Sequence, residues 1–225
     1  VGHAVGDVLG LAAGVAVSPL PIVAIILVLA TPRGRLGGVL FALGWVLGLA
    51  ALGAVMLLVG GTGGASAHKN PATWVGVLKL VLGALLALFG AVQWRRRPKD
   101  PSQARLPKWM AAIDHFTPAK ILGLGLLLSA GNLKNAPLTI AAAASISSAG
   151  ISVPEQIGTL AVFVVIASLG VLAPLALYLV MGERAKGILA NWREWAARHN
   201  VAVLAVLFFV LGLKLLGDGI SILTG

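Results

Sequence analysis

Apolar residues fill this chain in long uninterrupted runs, set apart by short polar or glycine-rich segments, and no run shows the two-residue alternation of a half-buried strand. Six such runs cover residues 5–31, 36–59, 74–94, 121–148, 157–181 and 201–223. Each is close to or beyond the roughly 20 apolar residues that carry a helix across a bilayer. The pattern therefore predicts an all-α polytopic membrane protein with six transmembrane helices. Trp74 and Trp94 bracket the third run, as interfacial anchors do. Between the last two runs, Ile188, Leu189, Trp192 and Trp195 recur at helical spacing while Lys186, Arg193 and Arg198 lie elsewhere, which predicts an interfacial helix at about 184–199.

Two runs are broken, at matching places. Ser18-Pro19-Leu20-Pro21 interrupts the first, and Asn132-Leu133-Lys134-Asn135-Ala136-Pro137 the fourth. Lipid cannot satisfy the backbone groups that a break exposes, so breaks persist where protein or a water-filled cavity surrounds them. Paired breaks in two halves of a chain point to a transporter's binding site. Ser18 before Pro19 reads as an N-cap followed by proline at the first helical position, and Asn135 or Ala136 before Pro137 offers the same start. Two half-helix N-termini facing inward, with Lys134 beside one, predict a centre that attracts an anionic group. The candidate substrate-binding residues are Ser18, Pro19, Pro21, Asn132, Lys134, Asn135 and Pro137; the plain alternative is a pair of proline kinks.

The basic stretch Arg95-Arg96-Arg97-Pro98-Lys99 opens a polar linker that divides the chain into a three-span unit at 1–94, a linker at 95–119 and a second three-span unit at 120–225. The halves match: 41–60 aligns with 163–182 without a gap, pairing Leu47-Gly48 with Leu169-Gly170, and Val81-Leu82-Gly83 aligns with Val210-Leu211-Gly212. Three spans per half give the halves opposite orientations, so an inverted repeat is expected, with helices one and four broken at mid-membrane. Lys and Arg crowd the loops after spans one, three and five, whereas the loops after spans two and four hold only Lys69. The positive-inside rule then places the former loops in the cytoplasm and both termini outside. Residues 1–31 read as a retained first span, since they lack the basic leader and small-residue cleavage pattern of a signal peptide.

Composition removes whole classes of function. With 11% charged residues and a mean hydropathy of +0.99, the chain has no room for a soluble catalytic domain. The net charge of +10 follows the loop asymmetry and implies topology, with no nucleic-acid partner. Absence of cysteine excludes thiol redox chemistry and thiolate metal ligands. The four histidines are scattered, His3 and Asp7 alone make a poor metal site, and no serine sits in a nucleophile elbow; no enzyme activity, metal or cofactor is expected. Asp7, Lys79, Lys214 and Asp218 lie in or near apolar runs, where charge is costly, and are candidates for coupling. Lys214 and Asp218, four apart, would neutralise each other, and Lys79 would reach the outer surface by snorkelling.

These motifs resemble the LysE-type exporter superfamily, six-span proteins of two three-span repeats. Its first span carries a proline-small-proline break, which Ser18-Pro19-Leu20-Pro21 resembles, and Pro32-Arg33-Gly34-Arg35-Leu36-Gly37-Gly38 resembles its basic-glycine turn into span two. Its Asn-Pro-Lys signature is approached by Asn132-Leu133-Lys134, with leucine in place of proline. Within the superfamily the chain is most similar to the peptidoglycolipid- or sulfolipid-addressing proteins, through Val17-Ser18-Pro19-Leu20-Pro21-Ile22 and Gly131-Asn132-Leu133-Lys134-Asn135. That resemblance implies help in moving an envelope glycolipid, or another anionic amphiphile, across the cytoplasmic membrane.

Three functions remain open from the sequence. One is a carrier for such an amphiphile. Another is a proton-coupled exporter of small amino acids or ions working through Asp7 or Asp218. The third is a non-transporting scaffold for a larger lipid-export pump. A homo-oligomer is compatible with all three, and no nucleotide-binding loop is present to make the chain itself an ATPase.

Overall fold

A computed structural model describes residues 2–66, 71–95, 113, 115–132 and 134–224. Most of the linker, including Arg96, Arg97 and Lys99, lies outside them, as do Lys69, His68 and Leu133 and the side chains of His3, Trp74 and residues 197–204. The described residues form eight α-helices and no strand: α1 (Gly2–Ala16), α2 (Pro19–Ala30), α3 (Gly34–Ser66), α4 (Pro71–Arg95), α5 (Pro118–Ala130), α6 (Asn135–Ser147), α7 (Val153–Met181) and α8 (Ala185–Thr224).

Stretches long and apolar enough to cross a bilayer occupy Gly34–Val59, Val75–Val92, Val153–Ala196 and Ala205–Thr224. A bent pair, Ala4–Ala16 with Pro19–Ala30, turns by 52° at the first break and is long and apolar enough to make a fifth if it crosses as one broken span. The protein is thus an all-helical membrane protein. α5 and α6 have 13 residues each, about 20 Å of helix, too short to cross a core of about 30 Å alone. The stretch expected to lie flat at 184–199 is the leading part of α8, with Ala185, Leu189 and Ala196 buried and Ile188, Trp192 and Trp195 exposed.

Glycine sets how closely the helices approach. α3 lies against α5, where a Cβ on Gly44 would strike the Leu122 carbonyl and one on Gly125 the Phe41 carbonyl. α7 lies against α1, where Gly170 meets the Ala16 carbonyl. α4 packs along α8, and a Cβ on Gly83 would stand 2.9 Å from the Gly212 carbonyl oxygen, just as one on Gly212 would stand 2.9 Å from that of Gly83. Small residues that admit neighbouring backbones replace the hydrophobic drive that helices lack in lipid. The glycine-rich turn after α2 has the same cause, since a Cβ on Gly34 would overlap the Leu29 carbonyl while Gly37 and Gly38 accept Val28 and Leu29.

α3 and α7 run antiparallel through the centre. Gly53 receives the Leu160 side chain, and Gly38 receives that of Leu175. Under the gapless match of 41–60 with 163–182, Gly38 corresponds to Leu160 and Gly53 to Leu175, so the two contacts exchange on swapping the halves. Phe41 and its counterpart Phe163 are both fully buried.

Candidate functional site

Each break ends one helix and starts another, and the two breaks converge on the α3/α7 pair. Gly48 of α3 lies against Ser129, two residues before Gly131 caps α5; Gly170 of α7 lies against Ala16, two residues before Ser18. α1 also packs on α6, where a Cβ on Gly14 would come within 3.1 Å of Leu138. Gly14 is four residues before Ser18 and Leu138 four after Lys134, so each break lies about 6 Å along its helix from that contact.

At the first break Ser18 occupies the N-cap of α2 with Pro19 and Pro21 in the first turn. Ser18 caps nothing: its Oγ is buried and finds no hydrogen-bond partner among the described residues. The prolines account for this in part. An N-cap oxygen accepts from the second or third helical N–H; Pro21 in the third position has none, and the Ser18 hydroxyl does not take up that of Leu20 in the second. Ser18 donates its own N–H to Val15, which leaves Leu20 as the one free amide donor of the first turn.

At the second break Asn132 does the capping. Its Oδ1 accepts from the Lys134 N–H at 3.0 Å, and its carbonyl accepts from the Asn135 and Ala136 N–H groups at 3.0 and 2.9 Å. Pro137 supplies no N–H, so the start of α6 presents no free amide. The anion pocket expected from two bare helix N-termini is therefore not built by backbone donors. The donors present are the Lys134 ammonium, for which the described residues provide no ion pair, the Asn132 Nδ2, buried and without a partner, the Ser18 hydroxyl and the Leu20 N–H. Asn135 is committed elsewhere: buried, it donates from Nδ2 to the Leu128 carbonyl at 3.0 Å, closing the end of α5 across the break. Pro19 and Pro21 are buried in the wall and Pro137 is half-buried.

Two further polar atoms were not anticipated. The Ser168 Oγ of α7 and the Trp45 Nε1 of α3 are buried and unpartnered. From the Gly38–Leu175 contact Trp45 and Ser168 are each seven residues away, and from Gly53–Leu160 each eight, so the two occupy one level of the α3/α7 pair. A tryptophan in mid-run, away from the interfaces where its N–H is easily satisfied, is the sequence signal that marks this level. Among the described residues four buried polar side chains are thus orphaned, Ser18 and Asn132 at the breaks and Trp45 and Ser168 on the α3/α7 pair.

The charged candidates lie apart from the breaks. Asp7 is eleven residues before Ser18, about 16 Å along α1. Lys79 does not reach the surface; it is buried and stands 3.7 Å from Asp218. Asp218 also takes the Lys214 ammonium at 3.0 Å, and Lys214 lies 3.9 Å from Asp7. Two lysines and two aspartates thus form one neutral chain across α4, α8 and α1, because a buried ammonium on α4 needs a carboxylate from its neighbour. No group of three or more potential metal ligands forms among the described residues.

A family model described as Sap, sulfolipid-1-addressing protein, matches residues 8–221. No curated protein and no solved structure matches.

Proposed function

The chain belongs to the sulfolipid-1-addressing protein family, and on that premise we propose that it is a non-enzymatic carrier assisting export of an envelope glycolipid, or a related anionic amphiphile, across the cytoplasmic membrane. The observation that carries this reading is the convergence of both breaks on the α3/α7 centre, with a free ammonium and several orphaned donors there. One positive charge amid neutral donors suits a headgroup with one anionic substituent on a hydroxyl-rich frame better than a dense polyanion. The amphiphile and the membrane are the partners this reading requires.

The architecture that serves it is six spans arranged as two inverted three-helix repeats, with α5 and α6 together forming the fourth span. The exchange of Gly38–Leu175 with Gly53–Leu160 and the reciprocal Gly83/Gly212 contact support a pseudo-two-fold axis through both crossings. Rocking of one repeat against the other about that axis would expose the breaks to each face in turn. Both termini lie outside and the basic loops inside.

Lipid profiling of the envelope in a deletion strain, complemented with the wild-type or the Lys134→Ala gene, tests this. Loss of a surface glycolipid on deletion, restored by the wild type and not by an equally expressed Lys134→Ala protein, is expected. Full restoration by Lys134→Ala would leave the scaffold reading, since a scaffold has no use for a half-buried ammonium at a break. Unchanged envelope lipids with altered amino-acid or ion efflux would favour the solute exporter.

A further inference from the structure

An apolar groove of about 760 Å3, open along its outer side where Leu58, Val153, Ile157 and Val165 are exposed, forms a half-open channel between α3 and α7, outside the charge network. α7 lines it with a stripe at helical spacing from Val153 through Ile157 and Ala161 to Val165, and α3 with Ala50 and Ala54. Its polar member, Gln156, sits at the Val153 end and donates its amide to the Ile151 carbonyl. The volume falls within the roughly 300–1,000 Å3 of small-molecule sites.

The channel has two different ends. Because α3 and α7 are antiparallel, Leu58 and Val153 share one end and Ala50 and Val165 the other. The first lies where the Glu155 carboxylate accepts from Ser152 at the exposed start of α7. The second points toward the central level of α7, where Val165 is three residues from the orphaned Ser168 hydroxyl. Val153 to Val165 spans about 18 Å of helix. Half of a core of about 30 Å, one leaflet of hydrocarbon, is nearly the same length.

We propose that this channel seats the alkyl chain of the transported amphiphile, holding it from the break site to the membrane surface while the headgroup occupies or leaves the breaks. The proposal rests on the carrier reading. Lipid tails are as apolar as the channel wall, so no hydrophobic gain retains a chain there. Retention comes from close packing on the small residues Ala50, Ala54 and Ala161, and from the tether of a head held at Ser18, Asn132 and Lys134. A bulk phospholipid lacks that tether, and a water-soluble amino acid has no use for the channel.

The test uses purified protein in phosphatidylglycerol nanodiscs and a hexadecyl maltoside bearing a diazirine near its chain end. Crosslinks are expected to concentrate on 50–58 and 153–165, to fall about tenfold in Ala54→Trp and Ala161→Trp, and to persist in Leu88→Trp on the exposed side of α4. Lys134→Ala should weaken them too. A phosphatidylcholine with the same diazirine chain should label exposed helix faces evenly. Even labelling by the maltoside, equal channel labelling by phosphatidylcholine, or insensitivity to both tryptophans would overturn the proposal. If the tryptophan proteins fail to fold, competition of the wild-type crosslinks by unlabelled hexadecyl maltoside decides. Channel labelling with unchanged envelope lipids on deletion would sink the carrier and leave the channel; lost export in Lys134→Ala with an unlabelled channel would do the reverse.

Discussion

The two breaks treat their polar side chains in opposite ways, and stability should register the difference. Asn135 closes a helix end: without its amide the Leu128 carbonyl is buried and unpaired, at a cost of about 1–3 kcal/mol. Ser18 closes nothing, so Ser18→Ala removes an uncompensated buried hydroxyl and leaves stability unchanged or slightly higher. In thermal melts in detergent, Asn135→Ala should therefore melt well below the wild type and Ser18→Ala at or above it. In the envelope assay the order is different, since Ser18→Ala keeps a stable protein and loses export. A marked fall in the Ser18→Ala midpoint would mean that its hydroxyl supports the fold. The sequence could not show this division of labour: Ser18 before Pro19 has every local mark of a cap, yet Pro21, three residues on, removes one of the two N–H groups a cap could use and that of Leu20 goes untaken.

Helices here meet through glycine, and the closest approaches lie next to the breaks. A side chain at Gly170 would push the Ala16 carbonyl away, and one at Gly48 would collide with Ser129, so each would shift a half-helix relative to the α3/α7 pair. Gly170→Val and Gly48→Val are expected to cost at least about 2 kcal/mol each, the range of overpacked cores. Gly123→Val and Gly158→Val, where a Cβ meets nothing within 4 Å, should be close to neutral apart from helix propensity. Melting all four proteins checks the contrast, and equal tolerance at Gly48 and Gly123 would contradict the packing. Much of this level was legible beforehand. The apolar runs, both break positions, the Gly48/Gly170 and Gly83/Gly212 equivalences and the Lys214–Asp218 pair follow from pattern and spacing. The partner of Lys79 cannot be read from the sequence, because its carboxylate is 139 positions away on α8, a distance only tertiary structure closes. Ser168 stayed hidden for the same reason: it is unremarkable in its own run, and the level it shares with Trp45, whose place in mid-run is the one sequence signal, appears once α3 and α7 cross.

For the whole molecule the fourth span decides the topology. α5 and α6 are each too short to cross alone, so they either join into one broken span or turn back as a re-entrant pair; the antiparallel α3 and α7 favour the first, because a re-entrant pair would set α7 parallel to α3. A crossing sends the α6–α7 loop to the face opposite the α4–α5 linker; a re-entrant pair returns it to the same face. The cysteine-free chain makes the distinction measurable, because Lys120→Cys and Ala149→Cys each introduce the sole thiol, at exposed positions flanking the pair. In intact cells a membrane-impermeant maleimide should label Ala149→Cys, and Lys120→Cys should react after permeabilisation alone. Arg33→Cys, at the turn between α2 and α3, should follow Lys120 and fix the inner face independently. Were Ala149 protected together with Lys120 and Arg33, the chain would cross five times, and α7 would have to run parallel to α3 against their antiparallel contacts at Gly38–Leu175 and Gly53–Leu160. Outside labelling of Ala149 would instead set both breaks at the same depth, where alternating exposure of one central site requires them.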